Sequence, residues 1–240
     1  MKQRYLVPEK MDDPRLCRIE HHRALAGLRR INRLSGTAAQ LKREVLRVAS
    51  HDTNREWRIL DVGCADGEIA YELSRLLSHH LRFTLTGWDM SEVAISAACA
   101  RLESAAEPDT SNLRFEIRNL FHELEAIRGE PPFDIVYCTL LLHHFSDEDA
   151  VRLLGAMSRL ARYAVIVDDL QRTQLGWWLA AIGCRVLSRS PVVHFDGPQS
   201  VRAAFSCEEA LALASAAGLK NAKLRRHWPE RYMLCWEAES

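Results

Sequence analysis

The sequence predicts an α/β protein built on a seven-strand open sheet with helices on both faces, and three observations carry that reading. From residue 57 onward, short apolar runs alternate with stretches of helical spacing, as expected of a sheet covered on both sides. The stretch Leu60-Asp61-Val62-Gly63-Cys64-Ala65-Asp66-Gly67 joins an apolar run to a tight glycine turn and carries an acid where the run ends. A second strand-like run closes on another acid, Asp89.

The elements follow in order. Residues up to Pro14 are polar and read as loop. Leu16 to Leu34 places Ile19, Leu25, Leu28 and Ile31 at helical spacing, Ser35-Gly36 stops that helix, and Thr37 to Val48 forms a second one. Residues 1–56 thus form an N-terminal helical cap ahead of a core domain at 57–240. Within the core, strands are expected at Arg58 to Val62, Phe83 to Trp88, Leu113 to Ile117, Phe133 to Cys138 and Ala164 to Asp168. Helices are expected at Glu68 to Leu77, Ser91 to Glu103 with the serine as cap, and Asp147 to Leu160, with a short segment at Phe121 to Ile127. A helix at Cys207 to Ala217 and two late strands, Ala222 to Arg226 and Arg231 to Trp236, complete the sheet as a hairpin. Residues 170–205 exceed what the alternation needs, and a segment of that length reads as a lid over an acceptor site, with a short aromatic helix at Trp177-Trp178-Leu179.

Composition narrows the function. Of 240 residues, 48% are apolar, enough for one buried core. Lysine plus arginine equals aspartate plus glutamate at 32 each, so no net charge draws the chain to a polyanion and nucleic acid is not expected as partner. No run of 18 apolar residues suggests a membrane span. The seven cysteines are isolated, and no signal peptide precedes them. They read as buried thiols in a reducing, cytoplasmic compartment, and no metal site is expected in the protein.

The glycine turn and the two acids define a ligand site. Gly63 allows the chain to turn beside a ligand, and Gly67 allows a helix to enter closely. Asp89 is placed to accept from the hydroxyls of an adenosine ribose. Asp61 discriminates between ligands: a dinucleotide pyrophosphate is repelled by a carboxylate at the turn, whereas an ammonium is attracted.

On these residues the chain resembles the class I S-adenosylmethionine-dependent methyltransferases. The family's acid followed by alternating glycines is matched by Asp61, Gly63 and Gly67, with Ala65 at the middle glycine position and Cys64 between. The resemblance implies S-adenosylmethionine as cofactor, Asp89 as the ribose acid and Met90 against the adenine. Where the family often has an acid after the third strand, this chain has Asn119-Leu120, whose side-chain carbonyl and backbone N–H can still meet the adenine. Phe133 to Cys138 looks like the family's fourth-strand motif, with Cys138 near the methionine end and Asp134 structural. Arg30, Asn32 and Arg33 end the first cap helix, and Arg33 is carried as the candidate for the methionine carboxylate.

Catalytic candidates lie on the acceptor side. His143-His144 follow the fourth strand, and His144, further from it, is the preferred base over His143. Asp168-Asp169 end the fifth strand, with Asp169 further out; the pair can orient a histidine, grip a substrate or pair with Arg172. Trp177, Trp178, His194, Phe195 and Asp196 are expected to wall the acceptor cavity or to form the packed inner face of the inserted segment. The expected reaction is methylation of a hydroxyl on a small aromatic, polyketide or quinone-like molecule, by a monomer or a homodimer. Methylation of carbon, as in quinone-pathway enzymes, and a non-catalytic adenosyl-binding protein are the alternatives.

Overall fold

The computed structural model describes residues 1–238 except 2, 14, 53, 105–110 and 122–132. Two helices come first, α1 (Arg18–Ser35) and α2 (Thr37–Ala49), separated by Gly36 at φ +66°. That left-handed turn stops α1 where the sequence expected it.

The core then alternates: β1 (Glu56–Val62), α3 (Glu68–Leu77), β2 (Arg82–Asp89), α4 (Glu92–Ser104), β3 (Leu113–Ile117), β4 (Phe133–Thr139), α5 (Asp147–Leu160) and β5 (Ala161–Leu170). The segment expected at Phe121 to Ile127 lies, from residue 122 on, outside the described residues. Local chemistry fixes the helix starts. Ala94 N–H donates to the Ser91 hydroxyl at 3.2 Å, and Asp149 N–H to that of Ser146 at 3.1 Å, where Asp147, Glu148 and Asp149 also favour the helix dipole.

The sheet order is β3-β2-β1-β4-β5-β7-β6, the last two being β6 (Lys223–His227) and β7 (Arg231–Glu237). The first five strands run parallel, and β7 inserts antiparallel between β5 and β6. Chain order reverses between β1 and β4, so their carboxyl ends open a crevice where such sheets take ligands. One apolar layer packs α5 and α8 (Cys207–Ala216) on one face, and the other packs α2 and α3 on the opposite face. Burial of both faces explains why β4 is inaccessible from Asp134 to Cys138.

Between β5 and α8 the structure departs from the expected single short helix. Residues of that segment form two full helices, α6 (Gln174–Leu187) and α7 (Pro191–Ala203), which pack on each other and on α1. Thr173 caps α6 through Gly176 N–H at 2.8 Å, and Pro191 stands in the first turn of α7, where its missing N–H costs nothing.

The opening residues, read as loop, are tied to the core at several points. Tyr5 N–H donates to Arg202 carbonyl at 3.0 Å, and Lys10 and Met11 N–H donate to the Asp196 carboxylate at 2.9 and 3.0 Å. Arg4 donates to the His143 carbonyl at 2.9 Å and stacks over the Phe205 ring at 3.6 Å. No described helix is long and apolar enough to cross a membrane.

Candidate active site

A cavity of about 1250 Å³ opens at the crevice between β1 and β4. One wall is the turn after β1. Gly63 stands at φ +72° and Gly67 at φ +68°, and Ala65 takes φ +48° despite its side chain. A Cβ on Gly67 would lie 2.5 Å from the Phe115 ring, so glycine there lets α3 and the sheet approach. Gly63 and Cys64 N–H donate to the Trp88 carbonyl at 2.8 and 3.1 Å, stitching the turn to β2.

Asp89 completes that stitching. Its Oδ2 accepts Ala65 N–H at 2.9 Å and its Oδ1 accepts Ser91 N–H at 2.8 Å. Each carboxylate oxygen has a second lone pair, so a ribose diol can still donate to it. Gly63, Cys64, Ala65, Asp89, Met90, Asn119 and Leu120 all line the cavity. Asn119 is partly engaged, because its Oδ1 accepts Phe121 N–H at 3.0 Å.

Asp61 lies off the cavity wall, behind the turn, with 1% exposure. The Tyr137 hydroxyl is the one group set against it, and neither carboxylate oxygen makes a hydrogen bond of full geometry among the described residues. Burial pushes its pKa up to about 8, with the Tyr137 hydroxyl opposing and the Asp89 charge adding. A buried carboxylate that has only the Tyr137 hydroxyl and no cation beside it fits a ligand that brings a positive charge, as the ammonium and sulfonium of S-adenosylmethionine do.

Two further expectations move. Cys138 is fully buried in the core layer under β4, and Thr139, Leu140 and Leu141 reach the cavity in its place. Arg33 is off the wall and largely exposed, 3.9 Å from both Glu68 and Glu72 of α3, whereas Asn32 of the same turn faces the cavity. Arg29 is the α1 arginine that reaches the turn: it meets Asp66 at 2.9 Å, and Arg101 of α4 meets the same carboxylate at 2.8 Å.

On the acceptor side, His143 and His144 line the cavity, their rings 4.4 Å apart. Asp169 is fully buried rather than further out, and it orients His143: Oδ1 meets His143 Nδ1 at 2.6 Å, and Oδ2 accepts His143 N–H at 3.0 Å. Asp168 is equally buried and pairs with Arg231 at 2.5 Å and His227 at 3.1 Å, while Arg172 goes to Glu209. Asp134 holds Arg58 N–H and Arg55, a structural role.

Sequence reasoning missed Glu9. Its carboxylate lies 3.4 Å from His143 Nε2 and 3.9 Å from His144 Nε2. Burial alone would lower the His143 pKa, but the Asp169 and Glu9 carboxylates outweigh it and raise it to about 10. Burial would likewise raise Glu9, and the two histidines pull it down to about 2. No pattern in a short polar opening segment signals such a contact, which only the tertiary fold creates.

The aromatic wall is also relocated. Trp178 is 59% exposed and Trp177 lies beside it on the outer face of α6. His194 bonds the Ser188 carbonyl, Phe195 packs under Lys10, and Asp196 anchors the opening segment. Helical spacing turns Leu179, Ala180, Gly183, Cys184 and Leu187 inward instead, so the wall is aliphatic.

A family model described as a methyltransferase domain matches residues 59–163. The chain is 27% identical over 180 residues to the ubiquinone biosynthesis O-methyltransferase of Albidiferax ferrireducens, covering 71% of this chain and 66% of that one. To the same-named enzyme of Alkalilimnicola ehrlichii it is 30% identical over 169 residues, covering 68% and 63%. The chain therefore spans about two thirds of the length of these relatives. In fold it is similar to a plantazolicin methyltransferase solved with S-adenosylhomocysteine (TM-score 0.65, 15% identity, 95% and 92% coverage). It is similar too to the magnesium protoporphyrin IX methyltransferase of Synechocystis (TM-score 0.58, 16% identity, 87% of each chain). With the matched domain, the strand order and the turn geometry in agreement, the chain belongs to the class I S-adenosylmethionine-dependent methyltransferases.

Proposed function

We propose that the chain methylates a hydroxyl of a small molecule with an aromatic, polyketide or quinone-like head and an apolar body. One observation carries the reading: a single cavity of about 1250 Å³ joins the glycine-turn wall, a polar group of Glu9, His143 and His144, and an aliphatic wall from α1, α6 and α7. Its volume exceeds the roughly 300–1000 Å³ usual for one small ligand, leaving room for donor and acceptor together. The similarity to enzymes named ubiquinone biosynthesis O-methyltransferases is in line with a quinone-like acceptor.

The cofactor supplies a methyl group on a sulfonium, open to attack by an acceptor oxygen. Gly63 to Ala65, Asp89, Met90, Asn119 and Leu120 would hold its adenosine part, and Asp61 would balance its positive charge from behind the turn. The aliphatic residues of α1 and α6, such as Leu28 and Leu179, hold the apolar body of the acceptor and exclude water, and much of the acceleration comes from that placement. The acceptor hydroxyl must lose its proton as its oxygen attacks, and His144 is the group on that wall to accept it, since His143 already holds a proton between the Asp169 and Glu9 carboxylates. Asp169 is a positioning residue, acting through His143.

The test is transfer of an isotopically labelled methyl group to a panel of phenols, polyketides and quinols, followed by fragmentation of the product. Label on an oxygen supports the reading. Label on ring carbon moves it to carbon methylation, and no labelled product from any of the three classes sinks it.

A further inference from the structure

Glu9, His143 and His144 bring one carboxylate oxygen and two imidazole nitrogens within 4.8 Å of one another. A divalent ion bound tetrahedrally by nitrogen and oxygen at about 2.0–2.1 Å separates its ligands by roughly 3.3 Å. The Glu9 to His143 distance is 3.4 Å, already that edge, and the Glu9 to His144 distance is 3.9 Å, which a shift of roughly half an ångström closes. His144 is the more exposed of the two histidines.

The surroundings fit a metal ligand set as well. Asp169 takes His143 Nδ1 at 2.6 Å and leaves Nε2 directed at Glu9. A carboxylate on the far nitrogen is the usual partner of a metal-bound histidine, fixing its tautomer and raising its basicity. Asp169 also grips His143 N–H, so ring and backbone are held together. The fully buried Asp169 and the partly buried Glu9 set two carboxylates on either side of His143, a charge that a divalent cation balances. The nearby Arg4 is turned to the carbonyls of His143 and Phe145 and to Asp147.

We infer that Glu9, His143 and His144 form a divalent metal site with open coordination positions facing the cavity. The donor set, two imidazoles and one carboxylate, is that of catalytic zinc and of non-haem iron sites. All three ligands line the cavity that holds the methyl donor, so an open position is available to an acceptor hydroxyl. That last clause rests on the proposed hydroxyl methylation, whereas the site itself stands on its geometry. An ion held there would supply Lewis-acid chemistry to the acceptor oxygen, and because it would occupy the side chains otherwise open to the hydroxyl proton, that proton would leave to solvent. The opening segment thereby delivers a ligand across the fold. The expectation of no metal came from cysteine spacing and did not weigh this group.

The distances alone also suit a proton held on His143 between two carboxylates, and the experiment separates the two. Chelator-treated full-length protein is titrated with cobalt(II) chloride and followed by its visible d–d bands, with zinc chloride as competitor. The expected result is one equivalent of cobalt in a tetrahedral or five-coordinate site, displaced by zinc. Glu9→Ala and His144→Ala abolish it, Asp169→Asn weakens affinity about 10- to 100-fold, and the exposed His80→Ala leaves it unchanged. Calorimetric binding of S-adenosylmethionine by each variant verifies folding. Failure of wild-type protein to bind one equivalent, or binding that survives both Glu9→Ala and His144→Ala, overturns the site. No methyl transfer is read, so the metal site and the proposed reaction fail independently.

Discussion

The two halves of the cavity are built by opposite means. The donor half is local: the turn from Gly63 to Gly67 and the acid Asp89 lie within two neighbouring strands and are joined by short backbone hydrogen bonds. The acceptor half is assembled from the opening segment, the loop after β4, the end of β5 and the inserted helices α6 and α7. The contrast teaches that donor binding and acceptor chemistry can be damaged separately.

The largest effect is expected from His143→Ala. Loss of the residue oriented by Asp169 should lower kcat about 10²- to 10⁴-fold while leaving donor affinity nearly unchanged, read by steady-state kinetics beside calorimetry. A matching loss of donor affinity would mean that the two halves are one unit. Next comes Asp89→Ala, which removes the acceptor for Ala65 and Ser91 N–H and for a ribose diol. Donor Kd should rise about 100-fold, equivalent to ~2.7 kcal/mol.

Gly183→Leu sharpens the boundary between the halves. No atom lies within 4 Å of a Cβ built there, and the residue faces the cavity from α6. The added side chain should raise KM for bulky acceptors about tenfold, ~1.4 kcal/mol, with donor Kd unaltered. A smaller effect concerns Asp61. Its folded pKa, raised by burial to about 8, lies above the unfolded value, so the folded state holds a proton that the unfolded state loses. Stability is thus intact below the unfolded pKa and is lost as pH rises to about 8. Asp61→Asn should raise Tm of the ligand-free protein at pH 9, less so at pH 6 and negligibly near pH 4, in thermal melts across that range.

Legibility in the sequence follows the same division. Helices Glu68–Leu77 and Asp147–Leu160 and strand Leu113–Ile117 were readable to the residue, because caps, periodicity and glycine turns act within a few positions. The glycine turn and Asp89 were readable for that reason too. The Glu9 contact was not, since nothing local distinguishes that glutamate from other surface acids. In α6 the composition pointed to Trp177 and Trp178, yet the 3.6-residue period set by Gly176, Leu179, Ala180 and Gly183 decides which face turns inward. Arg33 and Arg29 differ only in position on α1, and packing against α3 and the turn selects Arg29 for Asp66.

The most direct test is calorimetric titration of S-adenosylmethionine into the wild type, Asp61→Ala and His144→Ala. The expected result is single-site binding by the wild type, affinity within about twofold of it for His144→Ala, and affinity at least about tenfold weaker for Asp61→Ala, ~1.4 kcal/mol. Absence of binding by the wild type, or an equal loss in both variants, would contradict a donor site built around the β1 turn and separable from the acceptor wall.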